Sequence, residues 1–316
     1  MTGGILSLTM NPAVDVSAVT DEVVPTNKLR CRDTHRDPGG GGINVARVIR
    51  RLGGTCRAVF PAGGVTGQLL RDLLQQQGIE STAIDVAADT RESFSVTEAR
   101  SGAQYRFVLA GEALGPAEWQ GCIDAVAAQA PSHLYVVASG SLPPGVPDDF
   151  YARLAKALAG REVRLVVDSS GPALDGALRH GVYLAKPNLQ ELRGLTGAPL
   201  ERRSDWEDAA TDLVRAGRAE IIVLTLGEEG AFLVTRDLQI RADAVPVKAV
   251  SAVGAGDSFL AGMVWRLASG DSLDAAFRYA VAAGSAALLT PGTDLCHKAD
   301  TERLLDQVRT ERTAFS

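Results

Sequence analysis

Val250-Ser251-Ala252-Val253-Gly254-Ala255-Gly256-Asp257-Ser258 runs without a break into Phe259-Leu260-Ala261-Gly262-Met263-Val264-Trp265. Glycines at 254 and 256 let the backbone turn tightly and leave its N–H groups bare of side chains. Apolar residues then recur at helical spacing, which predicts a helix over 255–268 with its unpaired N–H groups facing the turn. Free donors and a positive helix end together make an anion site. Asp257 places a carboxylate beside it. Such a pair suits phosphoryl transfer, in which the turn takes the growing negative charge and a base takes the acceptor's proton. Taken alone, the same residues also fit an ordinary helix start.

Outward from that turn, the chain alternates between strand and helix. Ile5-Leu6-Ser7-Leu8-Thr9-Met10 reads as a buried strand ended by Asn11-Pro12, with Asp15 just beyond it. Pro38-Gly39-Gly40-Gly41-Gly42 leads into an amphipathic helix over 43–52, with Asn44 in its first turn. Strands are predicted at 57–60, 134–138, 163–168, 182–185, 221–224 and 231–234, and helices at 66–77, 116–129, 147–159, 171–179 and 272–288. Ser204-Asp205-Trp206-Glu207 reads as a capping box opening a helix to Ala216, and a polar helix closes the chain. Apolar strands without polar alternation belong to a parallel sheet covered on both faces, a doubly wound α/β fold. Two segments depart from this pattern. Lys28-Leu29-Arg30-Cys31 shows strand-like alternation, and 92–109 reads as an antiparallel hairpin around Ser101-Gly102. Together, 12–36 and 92–109 read as a small β lid on a single domain spanning 1–316.

With 316 residues, 46% hydrophobic and 22% charged, the chain has the composition of a globular protein with a large core. A net charge of −6 argues against a nucleic-acid or membrane-surface partner. No basic leader or membrane-length apolar run is visible, so no signal peptide and a cytoplasmic location are expected. Cys31, Cys56, Cys122 and Cys296 are widely spaced and read as reduced thiols. The four histidines lack zinc-ligand spacing. Neither a Walker A pattern nor a GxGxxG fingerprint is present, so a nucleotide would be held in some other way. Asp168, at a strand end, reads as a cap for Ser169 or Ser170. Trp119, Trp206 and Trp265 read as core anchors.

Loops that close strands gather along one edge of a doubly wound sheet, and here they carry the unusual residues. Gly39-Gly40-Gly41-Gly42-Ile43-Asn44-Val45-Ala46, Lys186-Pro187-Asn188 with Glu191, and Val253-Gly254-Ala255-Gly256-Asp257 resemble the ribokinase-like sugar kinases, the PfkB family. Phe60-Pro61-Ala62-Gly63-Gly64 and Val167-Asp168-Ser169-Ser170-Gly171 bring the chain close to the family's phosphofructokinase branch. The resemblance implies transfer of the γ-phosphoryl of ATP to O1 of fructose 6-phosphate. Tagatose 6-phosphate kinase and 1-phosphofructokinase are the near alternatives. It also implies Asp257 as general base and the N–H groups of Gly254, Ala255 and Gly256 as the anion hole. Asp15, Gly40, Gly41 and Asn44 would hold sugar hydroxyls. Lys28, Arg91, Arg106 and Ser141 would hold the sugar's phosphate, with Arg30 reaching a neighbouring subunit's site. Lys186, Asn188 and Glu191 would position the triphosphate and Mg²⁺. Thr225, Gly227, Gly230, Val281 and Ser285 would line the nucleotide site. A K⁺ site would involve Ser251, Val253, Ala287, Thr290 and Gly292, although Ser251-Ala252 stands where many members carry Asp-Thr. A homodimer formed through the lid is expected. Two rivals of other classes are a non-catalytic sugar-phosphate sensor and a dinucleotide oxidoreductase. The intact Asp257 speaks against the first and the missing glycine fingerprint against the second.

Overall fold

Chain entry is through β1 (Ile5–Leu8), whose residues are all buried. The computed structural model describes residues 4–315. Next come β2 (Ala13–Thr20), β3 (Arg32–Gly39), α1 (Gly41–Leu52), β4 (Arg57–Ala62), α2 (Gly64–Gln76) and β5 (Ser81–Asp85). A hairpin of β6 (Arg91–Glu98) and β7 (Gln104–Val108) follows, then α3 (Pro116–Gln129), β8 (Tyr135–Ser139), α4 (Phe150–Leu158) and β9 (Arg164–Asp168). The second half holds α5 (Gly171–His180), β10 (Val182–Ala185), α6 (Leu189–Thr196), α7 (Arg203–Arg215) and β11 (Ala219–Thr225). It ends with β12 (Ala231–Val234), β13 (Leu238–Ala242), α8 (Ala255–Ala268), α9 (Leu273–Ala287), α10 (Lys298–Leu305) and β14 (Thr310–Ala314).

The main sheet has ten strands in the order β14-β13-β12-β11-β10-β9-β8-β1-β4-β5. Pairing is parallel from β5 through to β11 and antiparallel from β11 to β14. Its strands are apolar on both faces because both faces are covered. Ile5, Tyr135, Val137, Val166 and Leu184 join a core with α1, α8 and α9, while Leu6, Leu8, Val136, Val167 and Ile222 join another with α3, α4 and α5. Strand order reverses at β1, which has β4 on one side and β8 on the other. Open α/β sheets bind ligands beyond the carboxyl ends of strands at such a reversal. Four-stranded and separate, the second sheet has the order β3-β2-β6-β7. In its register Val16 pairs with Phe94 and Phe94 with Phe107, making an apolar face. Asp15 pairs with Ser93 and Ser95 with Arg106 on the polar face.

Several local expectations need correction. Lys28-Leu29-Arg30-Cys31 is not a strand; it is exposed coil, and β3 begins only at Arg32. The lid strand β3 runs on to Gly39, beyond residue 36. Helix α7 is capped at Arg202, whose N–H donates to Asp205 Oδ2 at 3.0 Å. Ser204 is not the cap, because Glu207 is taken up in ion pairs with Arg203 and Arg241. Strands β5, β13 and β14 escaped the sequence reading. Thr310–Ala314 is a mostly exposed polar edge strand that gives no alternation signal.

Candidate active site

Gly254 caps α8 in the left-handed region at φ 72°, which glycine enters without a Cβ penalty. A methyl there would also overlap Leu295 Cδ2. The turn leaves the N–H groups of Gly254 and Gly256 with no acceptor among the described residues, while that of Ala255 reaches the Ala252 carbonyl at 3.4 Å. Asp257 sits in the first turn of α8, and its Oδ2 accepts a 2.9 Å hydrogen bond from Asn44 Nδ2. Burial, reinforced by the Asp168 carboxylate and opposed by the Asn44 bond and Lys186, pushes its carboxyl up to about 6.

Asn44 arrives there because the glycine run lets α1 start hard against the sheet. A methyl on Gly41 would overlap Ser139 Oγ, and one on Gly42 would crowd the Leu8 carbonyl at 2.5 Å. Gly40 is at φ 109° and packs on Thr9, whose Oγ1 accepts from the Ile43 N–H at 2.8 Å. The start of α1 is thereby fixed over β1 and β8, the point where strand order reverses.

Lys186 follows β10, is buried, and pairs with Asp168 at 3.1 Å. Burial opposes its charge, but Asp168, Glu191 and Asp257 outweigh that and hold the ammonium above its usual value. A methyl on Gly256 would stand 3.5 Å from Lys186 Nζ, so the ammonium lies beside the anion turn. Asp168 is therefore the counterion of Lys186, not a cap for Ser169 or Ser170. Asn188 and Glu191 form a reciprocal capping box on α6, each accepting the other's N–H at 2.8 Å. Glu191 is raised by burial and by Asp168, against the Asn188 N–H and Lys186. Asn188 bridges to Thr225, the last residue of β11, and Gly227 and Gly230 follow in a tight turn. Val281 and Ser285 are buried on α9, where Gly284 packs against the Ala255 carbonyl and Phe259.

Asp15 lies on β2, half-buried and packed against Gly39 at the end of β3. Burial pushes its carboxyl up to about 6, with Arg91, Arg47 and Arg106 pulling it down and Asp37 adding to the rise. Arg91 donates to the Asn11 carbonyl at 3.0 Å and to the Leu109 carbonyl at 2.8 Å. Ser141 accepts from Asn11 Nδ2 at 3.2 Å, placing it in the same corner. Lys28 and Arg30 are not gathered in. Both are exposed, and neither side chain has a hydrogen bond or ion pair among the described residues. In the expected K⁺ loop, Thr290 Oγ1 donates to the Ala287 carbonyl at 2.8 Å and Ser251 Oγ to Gln104 Oε1 at 3.1 Å. Gly292 lies near Ser17 of β2 and Val253 N–H bonds Ser251 Oγ, so these residues line one loop cluster. Two residues that sequence reasoning missed are Arg47 and Asp37, an ion pair at 2.7 Å behind Asn44 in which Arg47 is buried and Asp37 half-buried. The only available signal was an arginine on an otherwise apolar helix face.

Among the described residues, no helix is long and apolar enough to cross a membrane, and no group of three or more His, Cys, Asp or Glu could hold a metal by itself. The description "pfkB family carbohydrate kinase" matches residues 6–300. The chain is 47% identical over 305 residues to ATP-dependent 6-phosphofructokinase isozyme 2 of Mycobacterium tuberculosis, covering 96% of this chain and 89% of that one. Its counterpart in Escherichia coli K12 is 42% identical over 301 residues, with 95% and 97% covered. A crystal structure of phosphofructokinase-2 from Escherichia coli in complex with potassium superposes with a TM-score of 0.93 at 40% identity, covering 96% of this chain and 99% of that one. Its mostly parallel sheet with helices on both sides is the ribokinase-like arrangement. The chain belongs to the pfkB family of carbohydrate kinases.

Proposed function

We propose that the protein is an ATP-dependent 6-phosphofructokinase, with Asp257 taking the proton from O1 of fructose 6-phosphate as that oxygen attacks the γ-phosphorus. The bond to the β-phosphate bridging oxygen breaks as the new one forms, and ADP leaves without a phosphoenzyme. The observation that carries this reading is the juxtaposition of Asp257 with two acceptor-free N–H groups and the buried Lys186. Names of relatives at 47% and 42% identity point the same way. A carboxyl raised to about 6 is ionised at neutral pH yet basic enough to accept a proton.

Most of the rate in phosphoryl transfer comes from positioning and electrostatic stabilisation. The N–H groups of Gly254 and Gly256 would face the equatorial oxygens, with Ala255 N–H as a third donor once it leaves Ala252. Lys186 would neutralise the phosphate chain from behind, kept charged by Asp168. Asp15, Gly40, Gly41 and Asn44 would hold the sugar's hydroxyls, and Arg91, Arg106 and Ser141 its phosphate, with Lys28 added from its exposed coil. Bound with the nucleotide, Mg²⁺ would offset the triphosphate charge, and the donor set fits that role: Asn188 and Glu191 offer oxygens beside Lys186 but no closed cage. Thr225, Gly227, Gly230, Val281 and Ser285 surround the remaining nucleotide space. A K⁺ at Ser251, Val253, Ala287, Thr290 and Gly292 would be held chiefly by backbone carbonyls, since the Ser251 and Thr290 hydroxyls already have partners. The small sheet is read as a lid on one catalytic domain, and a homodimer through that lid is part of the proposal.

Comparing kcat/KM for fructose 6-phosphate, tagatose 6-phosphate and fructose 1-phosphate tests the assignment. Fructose 6-phosphate is expected to win. A preference of about tenfold or more for fructose 1-phosphate, roughly 1.4 kcal/mol in the transition state, would overturn it.

A further inference from the structure

We infer that Arg47 is a positioning residue for this reaction: its buried guanidinium sets the Asn44 amide so that the Nδ2 end faces Asp257. The inference rests on the kinase reading above and adds a residue to it. Arg47 lies three positions after Asn44 on α1, so both project from one face of the helix. It is 1% exposed, and every arm of its fork is used. Nε donates to Gln77 Oε1 at 2.9 Å, Nη1 to the Pro38 carbonyl at 2.9 Å and to Asn44 Oδ1 at 3.3 Å, and Nη2 to Asp37 Oδ1 at 2.7 Å.

A guanidinium can only donate, and an asparagine amide has one accepting and one donating end. With Oδ1 held by Arg47, Nδ2 is the end left for Asp257 Oδ2, at 2.9 Å. Turning the amide over would set oxygen against carboxylate and N–H against guanidinium, which is unfavourable at both ends. Arg47 therefore decides which way Asn44 points. Asn44 in turn pins one oxygen of Asp257 and leaves Oδ1 to receive the proton. On its far side Arg47 is held by Asp37 of β3, whose Oδ2 accepts from Thr293 Oγ1 at 2.9 Å. A continuous run of hydrogen bonds thus joins the small sheet and the loop after α9 to the base. The other charged groups facing Asp257 are Asp168 and Lys186 from the main sheet and Asp15 from the small one.

Arg47→Lys keeps a cation for Asp37 but lacks the fork that also reaches Asn44, so it separates positioning from charge balance. Its effect on kcat is measured in the native background and in Asn44→Ala. A loss of about tenfold in the first and less than about twofold in the second is expected, with KM for ATP little changed, because coupled residues do not add. Equal losses in both backgrounds would mean that Arg47 is merely structural. A ¹³C-carboxyl NMR titration, with Asp257 assigned through Asp257→Asn, needs no turnover. Arg47→Lys should move the Asp257 midpoint upward by about half a pH unit, since a hydrogen bond to the charged form is weakened. An unmoved midpoint overturns the inference. Should Arg47→Lys unfold, Thr293→Val, which loosens Asp37 alone, is read by the same titration with a smaller upward move expected and none overturning. A native protein that phosphorylates no phosphosugar would sink the kinase reading, while the titration would still decide the role of Arg47.

Discussion

Asp257 and Asp15 must carry charge at neutral pH in places where burial opposes it, and both carboxyls are pushed up to about 6. Between the unfolded value near 3.8 and the folded value near 6, the folded state binds the proton that the unfolded state has released. Stability from these groups is therefore highest at the acid end of that window and is lost as pH rises through 6. Asp257→Asn resembles the protonated form. It should raise the melting temperature by a few degrees at pH 7, a gain on the order of 1–3 kcal/mol that shrinks as pH falls towards 4. The same variant should lose about 10²- to 10⁴-fold in kcat while still binding phosphosugar. Unchanged ADP production would remove Asp257 from the chemistry. In the native enzyme kcat/KM should fall on the acid side of about pH 6, as the base protonates. Lys28→Ala and Arg91→Ala should both raise KM for the phosphosugar well above any change in KM for ATP. Only Arg91→Ala should also lower the melting temperature, because Arg91 ties the Asn11 and Leu109 carbonyls together whereas Lys28 has no such bond among the described residues. Equal effects of either change on both substrates would show that it is no phosphate ligand.

Helix α8 was legible end to end because three independent signals agree on it: a glycine turn, helical apolar spacing and an acidic first turn. Strand β11 was legible as an unbroken apolar run and helix α3 from its length and its Pro116 start. The coil at 28–31 was not, since alternation over four residues says nothing about whether a neighbouring strand is there to pair with. Within the site, residues held by backbone geometry could be read from the sequence, such as Gly40, Gly41 and Gly254. The pairings made by long-range side-chain bonds could not. Arg47 meets Asp37 across a tight chain reversal, and Asp168 meets Lys186 across two adjacent strands, pairings that no local spacing encodes. The turn before α8 gives a test at this scale. Gly254→Ala forces a side chain into the left-handed region and into Leu295, so a loss on the order of 1–3 kcal/mol and of most activity is expected. Gly256→Ala meets only Lys186 Nζ at ordinary contact distance, so it should fold normally and lose activity only. Melting curves and kcat for the pair decide this, and equal destabilisation by both would show that the turn is not strained at Gly254.

The small sheet is amphipathic in the opposite sense from what a solitary lid requires. Its polar face carries Asp15, Ser93, Ser95 and Arg106, while Phe94, Tyr105 and Phe107 share the other face and are 39%, 38% and 58% exposed. Leu109, 50% exposed just past β7, extends the apolar surface, and β7 is also an edge strand with free pairing groups. An exposed apolar edge invites association, and closed two-fold pairing of identical sheets covers it without leaving a sticky end. Sedimentation at micromolar concentration should therefore find a dimer, and a monomer would count against a lid-to-lid interface. Phe107→Asp should shift the equilibrium towards monomer without lowering the melting temperature of the isolated subunit, since Phe107 packs little within its own chain. Lys28 and Arg30 sharpen the expectation. They stand on exposed coil at the margin of this sheet with no side-chain partner among the described residues, and dimerisation would bring such coils close to the opposite sheet. If Arg30 completes a neighbour's phosphate pocket, the Phe107→Asp monomer should show a raised KM for the phosphosugar and a nearly unchanged KM for ATP. A monomer with native KM for both substrates would mean that each subunit builds its pocket alone, and that the apolar face serves assembly only.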